Sequence, residues 1–124
     1  MTKEENEYKV TLIFSSTLQL SAKVQRYFSP RTFTKLYNAL PLEGPFINKK
    51  GTVQIFVNFS AGFDKLVQHA KEGSLLYDPR SRSIFLFLES RSCSSLVQLG
   101  MIDEGDMQLL KKIPNSGFAR IQKQ

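Results

Sequence analysis

The chain has 124 residues, 41% of them hydrophobic, with ten Phe and no Trp. That is enough apolar mass for one domain core, too much for a disordered chain, and too short a chain for two domains. The formal net charge of +6 suits an anionic partner such as nucleic acid, or solubility through self-repulsion. The basic residues are scattered in pairs, among them Lys49 and Lys50, Arg80 and Arg82, Lys111 and Lys112, with no basic stripe interleaved with aromatics.

No apolar run approaches the length of a membrane span, and the acidic, polar residues 1–7 read as a flexible N-terminus rather than a secretory leader. The single Cys93 cannot form an internal disulfide, which fits a cytoplasmic location. The folded domain is expected over residues 8–124.

In chain order, Tyr8, Val10, Leu12 and Phe14 alternate with polar residues. After Ser15-Ser16-Thr17, the residues Leu18, Leu20, Ala22 and Val24 do the same. Period two in both runs predicts an antiparallel hairpin with one buried face. Ser29-Pro30 predicts a helix start, with the serine as cap and the proline in the first turn. Phe33, Leu36, Tyr37 and Leu40 form its apolar stripe, and Pro41 and Gly44 end it.

Val53, Ile55, Val57 and Phe59 predict a strand with Phe56 on the opposite face. Residues 63–72 fit either a short helix through Phe63, Leu66, Val67 and Ala70 or a long irregular connection between Gly62 and Gly73. Leu75 and Tyr77 open a strand that meets a turn at Asp78-Pro79-Arg80-Ser81. Residues 83–88 are apolar on both faces, with Ile84, Leu86 and Leu88 on one and Phe85 and Phe87 on the other, so both faces should be covered. Residues 96–102 predict another strand. Asp103 is placed to cap a second helix bearing Met107, Leu110 and Ile113. After Asn115-Ser116-Gly117 comes a last strand over 118–122. Short strands in this number, with two helices, predict a mainly β domain: a closed antiparallel barrel with two short capping helices.

Three stretches resemble the cyclophilins. Phe46-Ile47-Asn48-Lys49-Lys50-Gly51 follows the first helix, where that family has a Phe-His-Arg strand. Gly73-Ser74-Leu75-Leu76-Tyr77, continued by Ser83-Ile84-Phe85-Leu86-Phe87, is similar to a run ending in Gln-Phe-Phe. Residues 96–106, with Leu96, Gly100 and Gly105, are similar to the strand and glycine before the family's second helix. A nearer likeness is to small prokaryotic cyclophilin-like domains of unassigned function, through Ala39-Leu40-Pro41, Gly44, Gly51, and Gly73 on to Tyr77 and Pro79. Those domains often carry Trp before the second of these glycines, where this chain has Lys50.

The resemblance implies a cyclophilin-like barrel and frames a test of its chemistry. Prolyl isomerisation crosses a barrier of about 18–20 kcal/mol. A catalyst needs an apolar slot and a cation aimed at the twisted amide. Carried over from the resemblance, the Arg position falls on Asn48 and the Gln position near Phe56, with Gln54 close by. The His position falls on Leu96, and Phe85 or Phe87 would supply the apolar floor. Lys49, next to Asn48, points to the other face of a strand.

The apolar half of such a pocket is therefore kept and its cation lost. The expectation is a non-catalytic module that binds a small molecule or peptide at Phe46, Asn48, Gln54, Phe56, Phe85, Phe87 and Leu96. A divergent prolyl isomerase and a nucleic-acid-binding module are the alternatives. On the plainer view the three phenylalanines Phe56, Phe85 and Phe87 are packing residues and Asn48 is a turn residue.

No cofactor or metal is indicated. His69 is the sole histidine, without a Cys or second His at ligand spacing. Cys93 has no neighbouring base, and Ser94-Ser95 lacks the glycine-flanked elbow of an esterase. Gly51, Gly62 and Gly73 form no phosphate-cradling loop.

Overall fold

The computed structural model describes residues 6–124. Of the expected loose terminus, residues 1–5 lie outside the described residues. Glu7 already belongs to the first strand, and the Asn6 carbonyl accepts a hydrogen bond from the Arg26 amide at 2.8 Å.

The hairpin forms as its alternation predicts. Strands β1 (Glu7–Phe14) and β2 (Leu18–Gln25) pair antiparallel, with Val10 opposite Ala22 and Leu12 opposite Leu20. Ser15 and Ser16, both at positive φ, make the turn. Helix α1 (Pro30–Ala39) has its proline in the first turn and is followed by a cis Leu40–Pro41 bond.

The remaining strands are β3 (Leu42–Lys49), β4 (Thr52–Ile55), β5 (Leu66–Ala70), β6 (Ser74–Asp78), β7 (Ser83–Phe87), β8 (Arg91–Ile102) and β9 (Ser116–Lys123). All nine belong to one antiparallel sheet. Eight of them return on themselves in the order β2-β1-β9-β3-β4-β7-β6-β8, and β8 pairs back onto β2. That seam is short: Ala22 faces Ile102, Lys23 faces Met101 and Val24 faces Gly100. Gly100 permits it, because a Cβ there would lie 1.9 Å from the Lys23 carbonyl oxygen.

The ring's interior is the main core. Val10, Leu12, Phe14, Leu20, Phe46, Val53, Ile55, Leu75, Tyr77, Ile84, Leu86, Val97 and Ile121 all fill it. Strand register places Tyr8 and Val24 toward one end of the β1–β2 hairpin, and Phe14 and Leu20 toward the other. At the first end α1 packs Phe33 onto Tyr8, their ring centres 4.7 Å apart, and the Tyr8 hydroxyl donates to the Phe33 carbonyl at 2.8 Å. Leu110 and Ile113 are buried in the same core from the segment that follows β8.

Three local expectations are corrected. The strand predicted through Phe59 stops at Ile55, because the Val57 amide turns back to the Ile55 carbonyl and Asn58 takes a positive φ. Val57, Phe59 and Ala61 stay buried without strand pairing and seal the α1 end, Phe59 against Tyr77 and the Ala61 amide on the Tyr77 hydroxyl. Of the two alternatives for 63–72, no helix forms; residues 66–70 are strand β5, bulged between Val67 and His69 and paired only with β8. The second helix winds as 3₁₀ turns over Glu104–Lys112.

The caps also differ from expectation. Ser29 turns its hydroxyl inward, where it is fully buried and makes no hydrogen bond among the described residues. The α1 amides of Arg31 and Thr32 go instead to the Asp64 carboxylate, at 2.9 and 3.0 Å, from a segment 32 residues further on. Asp103 likewise makes no cap; its carboxylate meets Lys9 at 3.1 Å.

Candidate functional site

Strand β7 divides its side chains between two environments. Ile84 and Leu86 point into the ring; Phe85 and Phe87 point out. Outward-facing aromatics need a cover, and β8 supplies it. Its C-terminal half pairs with β6, from Tyr77 opposite Val97 to Ser74 opposite Met101. Its N-terminal half runs on past β6 and pairs with β5, so that Val67 faces Leu96 and Ala70 faces Arg91. The resulting two-stranded flap lies over the outside of β6 and β7 and encloses a second, small core of Ala70, Leu76, Phe87 and Leu96, with Val67, Phe85 and Cys93 half-buried beside it.

Two arginines fasten the flap. From the β6–β7 turn, Arg80 bonds the Asp78 carboxylate at 2.9 Å and the carbonyls of Ser94 and Ser95. From the flap itself, Arg91 donates to the carbonyl of Lys50 in the β3–β4 turn. Partial burial pushes Asp78 upward, but bonds from the Arg80 guanidinium, the Ser81 hydroxyl and the Arg80 amide outweigh this and hold its carboxyl below the usual range. It stays ionised and keeps Arg80 in place.

The flap covers only part of the outer face. Between it and the β3–β4 turn lies a cleft of about 380 Å³, lined by Lys49, Lys50, Thr52, Asp78, Arg80, Phe85, Phe87 and the β8 residues Arg91 to Ser94 and Leu96. Its floor is aromatic and aliphatic, and its rim carries four cations against one carboxylate that Arg80 already engages. A shallower hollow of about 210 Å³ adjoins it over Ile47, Lys49, Thr52, Gln54 and Phe85.

Of the residues singled out from sequence, Phe85, Phe87 and Leu96 meet in the cleft, and Gln54 borders the adjoining hollow with its amide donating to the Ser83 hydroxyl at 2.9 Å. Phe46 does not join them; it points into the ring, 1% exposed, edge-on to Phe14. Asn48 is tied to the chain ahead of β9, its side chain donating to the Ile113 carbonyl at 3.1 Å and its amide to the Asn115 carbonyl at 2.7 Å. Phe56 is 39% exposed beyond the end of β4 and lines neither hollow.

A hollow without its cation was expected, and the cleft that gathers the apolar residues has four. Lys49 reaches it because it alternates with Asn48 and so takes the outer face. Lys50 and Gly51 form a two-residue hairpin turn, with φ of 54° and 79°. That Lys-Gly pair between two alternating runs was the available signal. Arg80 and Arg91 had none, since their place depends on which strands meet.

Cys93 faces the cleft wall and is not an activated thiol. Burial pushes its pKa above the ordinary value, a bond from the Leu96 backbone acts only weakly against this, and the thiol donates to the Val67 carbonyl at 3.6 Å. His69 is exposed on β5 opposite Ser92, and the described residues hold no cluster of His, Cys, Asp or Glu suited to a metal. No helix among them is long and apolar enough to cross a membrane.

No family model matches the chain, and no curated protein sequence does. Among solved structures the fold is similar to that of the hypothetical protein AF2241 from Archaeoglobus fulgidus, with a TM-score of 0.77 at 16% identity, covering 99% of this chain and 100% of that one. It is also similar to part of McbB, solved in complex with tryptophan, with a TM-score of 0.76 at 8% identity, covering 93% of this chain and 44% of McbB. This chain thus spans less than half the length of McbB. At such identities the likeness is one of fold: a mainly β chain whose single antiparallel sheet returns to its first strands.

Proposed function

We propose that this domain is a cyclophilin-like β-barrel that binds a small molecule or a short peptide segment without catalysing a reaction on it. The observation that carries this reading is the cleft beside the flap: an apolar floor of Phe85, Phe87 and Leu96, open to solvent, with polar groups gathered at its rim. That is the usual make-up of a small-molecule site. The thiol in its wall is protonated at neutral pH, and among the described residues none of the hydroxyls lining it is hydrogen-bonded to a base, Ser92 opposite His69 included. McbB is a structural neighbour with a tryptophan complex, and tryptophan, a flat ring with a carboxylate, is a suitable first probe.

The test is a ¹H–¹⁵N titration of the domain with tryptophan and, separately, with a proline-containing tetrapeptide. Shifts concentrated at the amides of Thr52, Phe85, Phe87 and Ser92 are expected for one of the two. Shifts confined to other surfaces, or none with either probe at millimolar concentration, would end the reading.

A divergent prolyl isomerase is the second reading, and the guanidinium groups beside an apolar floor favour it. A cation that meets the amide only as it twists is what that reaction uses. Arg80 is committed to Asp78 and two carbonyls, and one Arg91 nitrogen to Lys50. A protease-coupled assay on a proline peptide separates the two readings: acceleration over the uncatalysed rate at micromolar protein selects the isomerase.

A further inference from the structure

Resting on the cleft being a binding site, we infer that its ligand is a flat apolar molecule bearing an anionic group, and that the anion sits at the Lys49–Lys50 end. The two ends of the groove differ. It runs along the outer face of β7 past Phe85 and Phe87, with Asp78 and Arg80 toward the Ser83 end and Lys49 and Lys50 toward the Phe87 end. At the Ser83 end, Arg80 is neutralised by Asp78 and spends its Nε and one terminal nitrogen on that carboxylate and on the carbonyls of Ser94 and Ser95. At the Phe87 end, Lys49 and Lys50 make no ion pair or side-chain hydrogen bond among the described residues. Arg91 stands beside them and uses one guanidinium nitrogen on the Lys50 carbonyl, leaving the other donors of its fork.

Glu89, in the β7–β8 connection, lies over Gly51, pairs with neither lysine and does not line the cleft. Positive charge is therefore unbalanced at one end only. Lys50 reinforces the point: it holds a left-handed φ of 54° in a turn whose first place asparagine or glycine fills at less cost. Its charge suits the position better than its backbone preference does. Between the two ends the floor is Phe85 and Phe87, edge-inclined with ring centres 6.5 Å apart, a surface on which a flat ring can lie. The Ser92 and Ser94 hydroxyls on the flap add neutral donors along the way.

The experiment compares three probes by calorimetry and amide shifts: 2-naphthoate, its uncharged analogue 2-naphthamide, and inorganic phosphate. Naphthoate is expected to bind about tenfold more tightly than naphthamide at low salt, about 1.4 kcal/mol. The preference should shrink as salt rises. In a Lys49→Gln/Lys50→Asn double variant it should fall below about twofold. A Lys111→Gln/Lys112→Gln variant loses the same charge away from the cleft and should keep the preference.

Equal binding of naphthoate and naphthamide overturns the anion inference while leaving the binding site standing. So does a preference that survives in the Lys49/Lys50 variant. Phosphate binding as tightly as naphthoate overturns the flat-body half. No cleft shifts with any probe overturn both the inference and the reading beneath it.

Discussion

Ile84 and Leu86 on one side of β7, and Phe85 and Phe87 on the other, are neighbours in sequence with different surroundings. The first pair is enclosed by strands from every side of the ring and by α1 and the segment 57–61 at one end. The second pair has one layer over it, a two-stranded flap held by β8 and two arginine contacts. A sheet that closes on itself uses its inner face for stability and leaves its outer face available. Here the outer face is half-covered, and the edge of that cover makes the cleft. The interior can therefore tolerate little change, whereas the outer layer can change its lining without disturbing the ring.

Substitutions can sharpen or break this contrast. Gly100→Ala should be the most damaging, because its Cβ would collide with the Lys23 backbone at the ring's three-residue seam. Overpacking against backbone is expected to cost about 3 kcal/mol or more, read from urea unfolding. Retention of full stability would show that the seam contributes little. Leu86→Ala, inside the ring, should cost about 3 kcal/mol. Phe87→Ala, one residue on and facing out, should cost less, about 2 kcal/mol, because the hole opens to a solvated cleft rather than an enclosed core. It should also abolish probe binding, which Leu86→Ala leaves measurable. Equal costs for the two would erase the distinction between the layers.

Asp64→Ala should cost about 1 kcal/mol, the ordinary worth of a helix cap. Partial burial raises the Asp64 pKa, but the Thr32 and Lys65 amides, the Thr32 hydroxyl and the Arg31 amide lower it further, and the net shift is downward. A carboxylate depressed in the fold contributes its full stability above its unfolded pKa of about 3.9 and loses it as pH falls through the lower folded value. The gap between wild type and Asp64→Ala should therefore be constant from pH 7 to about 5 and close below that. The smallest effect is expected from Arg91→Gln, about 0.5 kcal/mol or less for an exposed contact. It should show as faster amide exchange in β5 and the first half of β8, with the ring strands unchanged.

What was legible in the sequence was local. The β1–β2 hairpin, the start of α1 at Pro30 and the two-sided character of β7 follow from periodicities spanning fewer than a dozen residues. What was not legible depends on distant pairings. Residues 66–70 carry apolar side chains at a spacing that suits a helix, and only the partner strand β8 makes them β5. Ser29 is a good cap by residue type, yet its place in the core hands the task to Asp64. The candidate site was divided in the same way: carrying a motif along β3 put Phe46 and Asn48 together with Phe85, although strand alternation sends Phe46 inward and Lys49 outward. The cations escaped notice because Arg80 and Arg91 reach the cleft through turns and flap geometry rather than through any spacing.

A ring of strands leaves few unpaired backbone amides and carbonyls for a neighbouring chain, and among the described strands β5 alone has a single partner strand. β5 pairs on a single side, so its other side is where a foreign strand could add itself. The chain makes this border unsuitable for growth. It is five residues long, bulged between Val67 and His69, and flanked by Lys65 and Lys71. A short, kinked and positively charged border resists templated addition, so the incomplete cover over the outer face of the sheet does not end in an inviting edge.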